Sequence, residues 1–186
     1  MLYQIQGLTY KIEDCAVRSR LFYRIAGRYY KSVIEKETAL ANITSRDHIL
    51  CIGGGICPFS AILFRQATGA RVTVIDNNYA CIPKARQVIR RLELQSDVTV
   101  LHQEGGCANL DYAAYSVIHL ALQVSPMEQV FSKLKQQIHP GTRLLLRRPK
   151  KHLGGMSRAI PADSPFISHK SRNIGSTLLY TKPADA

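Results

Sequence analysis

The chain has 186 residues, of which 46% are hydrophobic and 20% are charged. This length and composition suit one folded domain and exclude an intrinsically disordered chain. The formal net charge of +12 favours anionic partners, so nucleic acid is an admissible partner, although the sequence contains no nucleic-acid recognition motif.

The sequence predicts a cytoplasmic protein that does not enter a membrane. No apolar run reaches the roughly 18 residues that a membrane-spanning helix needs. The N-terminal residues lack the basic and then apolar pattern of a signal peptide. The five cysteines form no C-x-x-C pair, and their odd number indicates free thiols rather than a disulfide framework.

The first predicted element is helical. Hydrophobic residues recur at helical spacing from Glu13 to about Asn42, and Gly27 is a position that could divide this stretch into two helices. We therefore assign residues 1–46 to an N-terminal helical segment that forms a lid or the substrate side. Residues 47–186 are assigned to an α/β domain.

Strands and helices alternate in this second part. Strands are predicted at 48–52, 71–75, 98–102, 115–122 and 143–148, with helices at 59–67, 80–92 and 127–138. Residues 151–175 are expected to form a long loop, and residues 177–181 a last strand at the edge of the sheet. The order predicts βαβ units and a doubly wound, mostly parallel sheet of the Rossmann-like type. Such sheets bind ligands beyond the carboxyl ends of their strands.

A glycine loop follows the first predicted strand. Gly53, Gly54 and Gly55 come directly after the apolar run 48–52, and Pro58 suits the first position of the next helix. Glycines permit a tight turn and let a ligand lie against the backbone. The loop is therefore a candidate for ligand binding.

An acidic residue ends the second predicted strand. Asp76 follows the glycine loop by about 20 residues, where a carboxylate can accept hydrogen bonds from ribose hydroxyl groups. Asn77 and Asn78 come next and can support the same loop. The glycine loop and the acid, in this order within one βαβ unit, predict a nucleoside-binding site.

The loop favours S-adenosylmethionine (SAM) as the nucleoside ligand. Pro58 stands at the third glycine position of the dinucleotide pattern G-x-G-x-x-G, so a pyrophosphate is less well matched. No Lys-Ser or Lys-Thr follows the loop, which excludes a P-loop. An NAD-binding domain and a non-catalytic SAM- or nucleotide-binding module stay open as alternatives.

At these residues the chain resembles the class I SAM-dependent methyltransferases. The glycine loop is similar to their first motif, Asp76 to their ribose-binding acid, and Pro140-Gly141 to a turn before one of their strands. The resemblance covers about 47–149 and implies a methyltransferase that uses SAM and acts on a small molecule or an anionic substrate. It implies further cofactor contacts from loops that follow the third and fourth strands: Glu104, Gly105, Gly106, Cys107 and Ala121.

Two departures narrow this resemblance. Gly106 stands where many methyltransferases carry an acid near the adenine, so Glu104 or backbone groups would take that role. No motif similar to Asn-Pro-Pro-Tyr follows the fourth strand, which disfavours methylation of a nucleobase amine.

A narrower resemblance is to the nicotianamine synthases. Their glycine loop has the form G-x-G-x-x-P, followed by a large apolar residue and a hydroxyl residue, as in Pro58-Phe59-Ser60. Tyr30 and Glu37 are similar to a tyrosine and an acid that precede that loop. The resemblance implies transfer of the aminocarboxypropyl arm of SAM in metallophore synthesis.

For this reaction Tyr30 or Glu37 would be a general base or an amine-binding group. Alternatively, Tyr30 packs with its hydroxyl group at the surface and Glu37 faces solvent. His119, inside the fourth strand, is expected to be a core histidine with satisfied hydrogen bonds. No metal-ligand spacing is recognised, and a homo-oligomer is possible.

Overall fold

The computed structural model describes residues 20–150 and 163–184, and side chains from residue 27 onwards within these ranges. Its elements in chain order are α1 (Arg20–Leu40), β1 (His48–Ile52), α2 (Phe59–Thr68), β2 (Arg71–Asp76), α3 (Cys81–Arg91), β3 (Val98–His102), a 3-10 turn (Tyr112–Ala114), β4 (Val117–Leu120), α4 (Met127–Gln137), β5 (Arg143–Pro149), β6 (Phe166–Ser168) and β7 (Ile174–Thr181).

The strands form one sheet in the order β3-β2-β1-β4-β5-β7-β6. Strands β1 to β5 are parallel, and β7 runs antiparallel between β5 and β6. The predicted doubly wound, mostly parallel α/β fold is confirmed. The strand order reverses between β1 and β4, and a crevice for ligands opens at such a reversal, beyond the carboxyl ends of the strands.

Helices cover both faces of the sheet. On one face the core contains Ile34 of α1, Phe64 of α2 and Ile89 of α3. On the other face it contains Phe131 of α4 and Tyr112 of the 3-10 turn. Because both faces are covered, the central strands β1 and β4 are buried along nearly their whole length, rather than alternating between buried and exposed residues.

The C-terminal strands differ from the sequence prediction. The expected loop 151–175 contains β6 and the first residues of β7, and β7 is an internal strand rather than an edge strand. Strand β6 has only three residues and follows Pro165, so its sequence carries little strand signal. Its pairing with β7 and its contact with α1 provide the stabilisation that the local sequence lacks.

Helix α1 also differs from the prediction at one position. It runs through Gly27 without interruption, and a single glycine costs a helix only about 1 kcal/mol. The predicted helical stretch before residue 20 lies outside the described residues, and the separation of residues 1–46 from the rest stays a prediction. No helix in the described part of the chain is both long and apolar enough to span a bilayer.

Candidate functional site

Each glycine of the loop after β1 is required by its surroundings. Gly53 and Gly55 have positive φ angles of 85° and 62°, which side-chain-bearing residues rarely adopt. A Cβ on Gly54 would lie 2.2 Å from Cγ1 of Val74. The N–H groups of Gly53 and Gly54 donate to the carbonyl of Ile75 at 2.9 and 3.3 Å, which ties the loop to the end of β2.

Asp76 joins two loops at the same edge of the sheet. Its carboxylate accepts hydrogen bonds from the N–H groups of Gly55 at 2.8 Å and Asn78 at 2.9 Å. A carboxylate can accept about four hydrogen bonds, so these two leave capacity for a ligand. The backbone contacts hold the carboxylate in place before any ligand binds.

A cavity of about 370 Å³, the first cavity, opens beside this carboxylate. Its size falls in the range of small-molecule sites. Seven residues predicted from the sequence to bind the cofactor line it: Gly53, Gly55, Asp76, Asn77, Asn78, Glu104 and Gly105. The sequence prediction missed its opposite wall, which includes Gln129 and Lys133 of α4. In sequence these two residues are indistinguishable from the solvated face of an amphipathic helix.

Two further predicted residues shape the loop after β3 without lining the first cavity. Gly106 has a positive φ angle of 78°, and its N–H group donates to the hydroxyl group of Tyr112 at 2.9 Å. The thiol sulfur of Cys107 accepts a hydrogen bond from the side-chain amide of Gln103 at 2.8 Å. Their contacts therefore support the loop that carries Glu104 and Gly105.

A second cavity, of about 50 Å³, adjoins the first and shares Ile52, Gly53 and Gln123 with it. Four more of the predicted residues, Gly54, Pro58, Ala121 and Tyr30, line this second cavity. The ring of Tyr30 stacks on Phe59 with centroids 5.6 Å apart. Pro58 lies immediately before the first residue of α2, as its N-cap, one position earlier than predicted.

Glu37 lies behind the second cavity in a buried ion pair, and the alternative that it faces solvent is wrong. The side chain is fully buried, and Arg147 donates to its two carboxylate oxygens from Nε and Nη2, each at 2.8 Å. The hydroxyl group of Thr177 donates to Oε1 at 2.6 Å. Burial by itself would raise the pKa of Glu37, but the charge and hydrogen bonds of Arg147 and the Thr177 bond lower it to about 2.

Arg147 connects this ion pair to the wall of the second cavity. Its Nη1 donates to the hydroxyl group of Ser60 at 2.9 Å, and the guanidinium group lies 5.8 Å from the ring centroid of Tyr30. Arg147 and Ser60 both line the second cavity. The ion pair therefore fixes the position of two polar side chains next to Tyr30.

His119 is buried, as predicted, but its hydrogen bonds are not satisfied. Neither ring nitrogen has a hydrogen-bond partner among the described residues, and Nε2 lies 3.7 Å from Oε2 of Glu37, longer than a hydrogen bond. Burial and the charge of Arg147 lower the pKa of His119 to about 3, so the ring is neutral. His119 also lines the second cavity.

Solved structures of a nicotianamine synthase and of methyltransferases share this fold. The nicotianamine synthase MtNAS in complex with SAM superposes with a TM-score of 0.78 at 22% identity, over 97% of this chain and 75% of that chain. An RNA methyltransferase from Salinibacter ruber in complex with S-adenosyl-L-homocysteine gives a TM-score of 0.67 at 19% identity, over 83% of this chain and 93% of that chain. No protein-family model and no curated protein sequence matches the chain.

Proposed function

We propose that the chain is a SAM-dependent transferase that binds the adenosyl part of SAM in the first cavity. The observation that carries the proposal is Asp76, which lines this cavity while the N–H group of Gly55 holds its carboxylate. The glycine loop supports it, because a side chain at Gly54 would displace the backbone against which the ligand lies. The solved structures with this fold include complexes with SAM and S-adenosyl-L-homocysteine.

In this proposal the chain binds and orients, and the sulfonium group of SAM supplies the electrophilic carbon. Asp76 accepts hydrogen bonds from the ribose hydroxyl groups, and the loop that carries Glu104 and Gly105 contacts the adenine. Holding an acceptor in line with the carbon–sulfur bond can supply about 7–11 kcal/mol in favourable cases. A dedicated catalytic base is therefore not required for an acceptor that is already nucleophilic.

Methyl transfer to a small molecule or an anionic substrate is the first candidate reaction. Transfer of the aminocarboxypropyl arm is the second, favoured by the second cavity that adjoins the first and is lined by Tyr30. The similarity to MtNAS, over nearly the whole chain, supports it. A carboxylate with a pKa of about 2 is a weak base, so the contacts of Glu37 favour a role in positioning Arg147 over proton abstraction.

Calorimetry with SAM, S-adenosylhomocysteine and NAD tests the binding site. We expect Asp76→Ala to weaken SAM binding by about 1–3 kcal/mol, the usual loss for a hydrogen bond to a charged group. Glu35→Ala is a matched control, since this exposed carboxylate pairs only loosely with Lys31. An unchanged dissociation constant in folded Asp76→Ala would contradict the role of Asp76, and tight binding of NAD without SAM would exclude the proposal.

Mass analysis of the SAM by-product separates the two reactions. Methyl transfer leaves S-adenosylhomocysteine, whereas transfer of the aminocarboxypropyl arm leaves methylthioadenosine. If protein that binds SAM and is offered a pool of amines forms neither by-product, the non-catalytic module is favoured. A cytoplasmic location, an anionic partner such as nucleic acid and a homo-oligomer stay predictions from the sequence.

A further inference from the structure

Helix α3 presents a basic surface that faces away from the core. Its buried residues are apolar, and the side chains of Arg86 and Arg90 are exposed. The helix contains no acidic residue, so no charge of its own offsets these arginines. In the described part of the chain, neither arginine forms an ion pair with a carboxylate. Their positive charge is therefore available to an anionic partner.

Arg86 lies along the free edge of the sheet. Strand β3 is the first in the sheet order, and Nε and Nη2 of Arg86 donate to the carbonyl group of Val100 in this strand at 3.0 and 2.8 Å. An arginine side chain has five N–H donors, so three are left for a ligand. Arg90 follows one helical turn later, about 6 Å further along the axis of α3. The two arginines thus form a short row beside β3.

An exposed aromatic pair lies at the end of this row. Tyr79 is 70% exposed, more than any other large hydrophobic side chain in the described residues. Its ring packs edge-to-face against His102 at the end of β3, with the centroids 5.3 Å apart. Nε2 of His102 lies 3.1 Å from the carbonyl oxygen of Asn77, which lines the first cavity. The row of arginines therefore leads to an exposed ring next to the first cavity.

We propose that the α3–β3 surface, formed by Tyr79, Arg86, Arg90 and His102, binds single-stranded nucleic acid. Phosphate groups pair with the two arginines, and an unpaired base stacks on Tyr79. A single strand fits because it combines a charged backbone with bases whose flat faces are open to an aromatic side chain. A duplex hides these faces, and an acidic peptide or an anionic membrane has no base to stack. The proposal goes beyond the proposed function, because the surface lies outside both cavities and needs no SAM.

Fluorescence anisotropy with labelled RNA and DNA strands of about 12 nucleotides, within the site size of single-strand-binding folds, tests the surface. We expect Arg86→Gln/Arg90→Gln to lower the slope of log affinity against log salt by about 1.4, since each phosphate contact of a single strand contributes about 0.7. Arg90→Gln alone leaves the contact between Arg86 and Val100 intact and should lower the slope by about 0.7. Arg28→Gln/Arg46→Gln removes two exposed arginines outside the surface and is the charge-matched control, with an unchanged slope.

Tyr79→Leu and Tyr79→Phe test the stacking. Tyr79→Leu should weaken binding at least about fivefold, the lower end of the effect of removing one base–aromatic contact, whereas Tyr79→Phe keeps the ring and should bind like the wild type. A strand of the same length without bases should bind Tyr79→Leu and the wild type alike.

Three outcomes would overturn the proposal. They are equal slopes in the arginine double variant and its control, equal binding of Tyr79→Leu and Tyr79→Phe to strands with bases, and failure of the wild type to bind either strand. Calorimetry with SAM on the same proteins reports the proposed function separately. The variants of the α3–β3 surface should bind SAM like the wild type, and failure of the wild type to bind SAM would refute the proposed function alone.

Discussion

Gly54 has the least room for a side chain of the three glycines in the loop. We expect Gly54→Ala to lower the free energy of unfolding by about 1–3 kcal/mol, because its Cβ would overlap Val74, which is fully buried and cannot retreat. Chemical denaturation measures the loss, and the second substitution Val74→Ala should recover part of it. Gly27→Ala is the matched control. Nothing lies within 4 Å of the added Cβ there, so a gain of about 0.5–1 kcal/mol is expected.

Two buried titratable side chains, Glu37 and His119, make the free energy of unfolding depend on pH. The pKa of Glu37 is lowered from 4.5 to about 2, so its contribution is complete above pH 4.5 and is lost as the pH falls towards 2. The pKa of His119 is lowered from 6.5 to about 3, so its contribution is complete above pH 6.5 and is lost as the pH falls towards 3. Both groups bind fewer protons in the folded state, so both losses have the same sign.

We therefore expect the free energy of unfolding to fall between pH 6.5 and 3 by an amount on the order of 3 kcal/mol from His119 alone. Urea denaturation at a series of pH values measures this slope. His119→Gln removes the titrating ring and keeps a polar side chain, so its slope between pH 6.5 and 4.5 should be flatter. An identical slope in the folded variant would assign the acid sensitivity to other groups.

At the scale of elements, the N-terminal helix and the C-terminal hairpin stabilise one another. Lys36 of α1 donates to the carbonyl of Ser168 in β6 at 3.0 Å, and Tyr29 contacts Ser171 in the turn between β6 and β7. Thr177 of β7 donates to Glu37 and lies 2.8 Å from Nε2 of His169. Helix α1 therefore packs on the α/β domain through its last two strands as well as through α2.

Thr177→Val tests this connection. The substitution keeps the shape of the side chain but leaves Oε1 of Glu37 and Nε2 of His169 without their hydroxyl partner. We expect a loss of about 1–3 kcal/mol in thermal or chemical unfolding, the cost of an unsatisfied buried polar group. Thr177→Ser, which keeps the hydroxyl group, should lose less. A larger loss in Thr177→Ser than in Thr177→Val would show that packing of the methyl group, rather than the hydrogen bond, joins the elements.

At the scale of the whole molecule, the two cavities lie where the strand order reverses. Walls of the first cavity come from β1, β2, α3 and α4, so a ligand there connects elements distant in the chain. SAM at about 100 times its dissociation constant should add about 2.7 kcal/mol of stability. The unfolding temperature should then rise by several degrees, measured by calorimetric scanning. Asp76→Ala should show a smaller rise at the same SAM concentration, and an equal rise would place SAM elsewhere.

Local patterns in the sequence were sufficient to predict the alternating order of strands and helices, the glycine loop and the position of Asp76 at the end of β2. Alternating runs of strand and helix periodicity predict βαβ units, and the chirality and pairing rules of such units bring the carboxyl ends of β1 and β2 together. The bounds of β1 and β3 agree with the prediction for the same reason. Since these features depend on neighbouring residues and on general rules of chain folding, sequence patterns can predict them.

Only the tertiary structure decided the second cavity and the environment of Glu37. Glu37 and Arg147 are 110 residues apart, and nothing in either local sequence indicates that they pair. The place of β7 inside the sheet and the unsatisfied nitrogens of His119 likewise depend on which distant segments pack together. Burial and partner choice are properties of the assembled core, because a charged side chain is solvated until another part of the chain replaces its water.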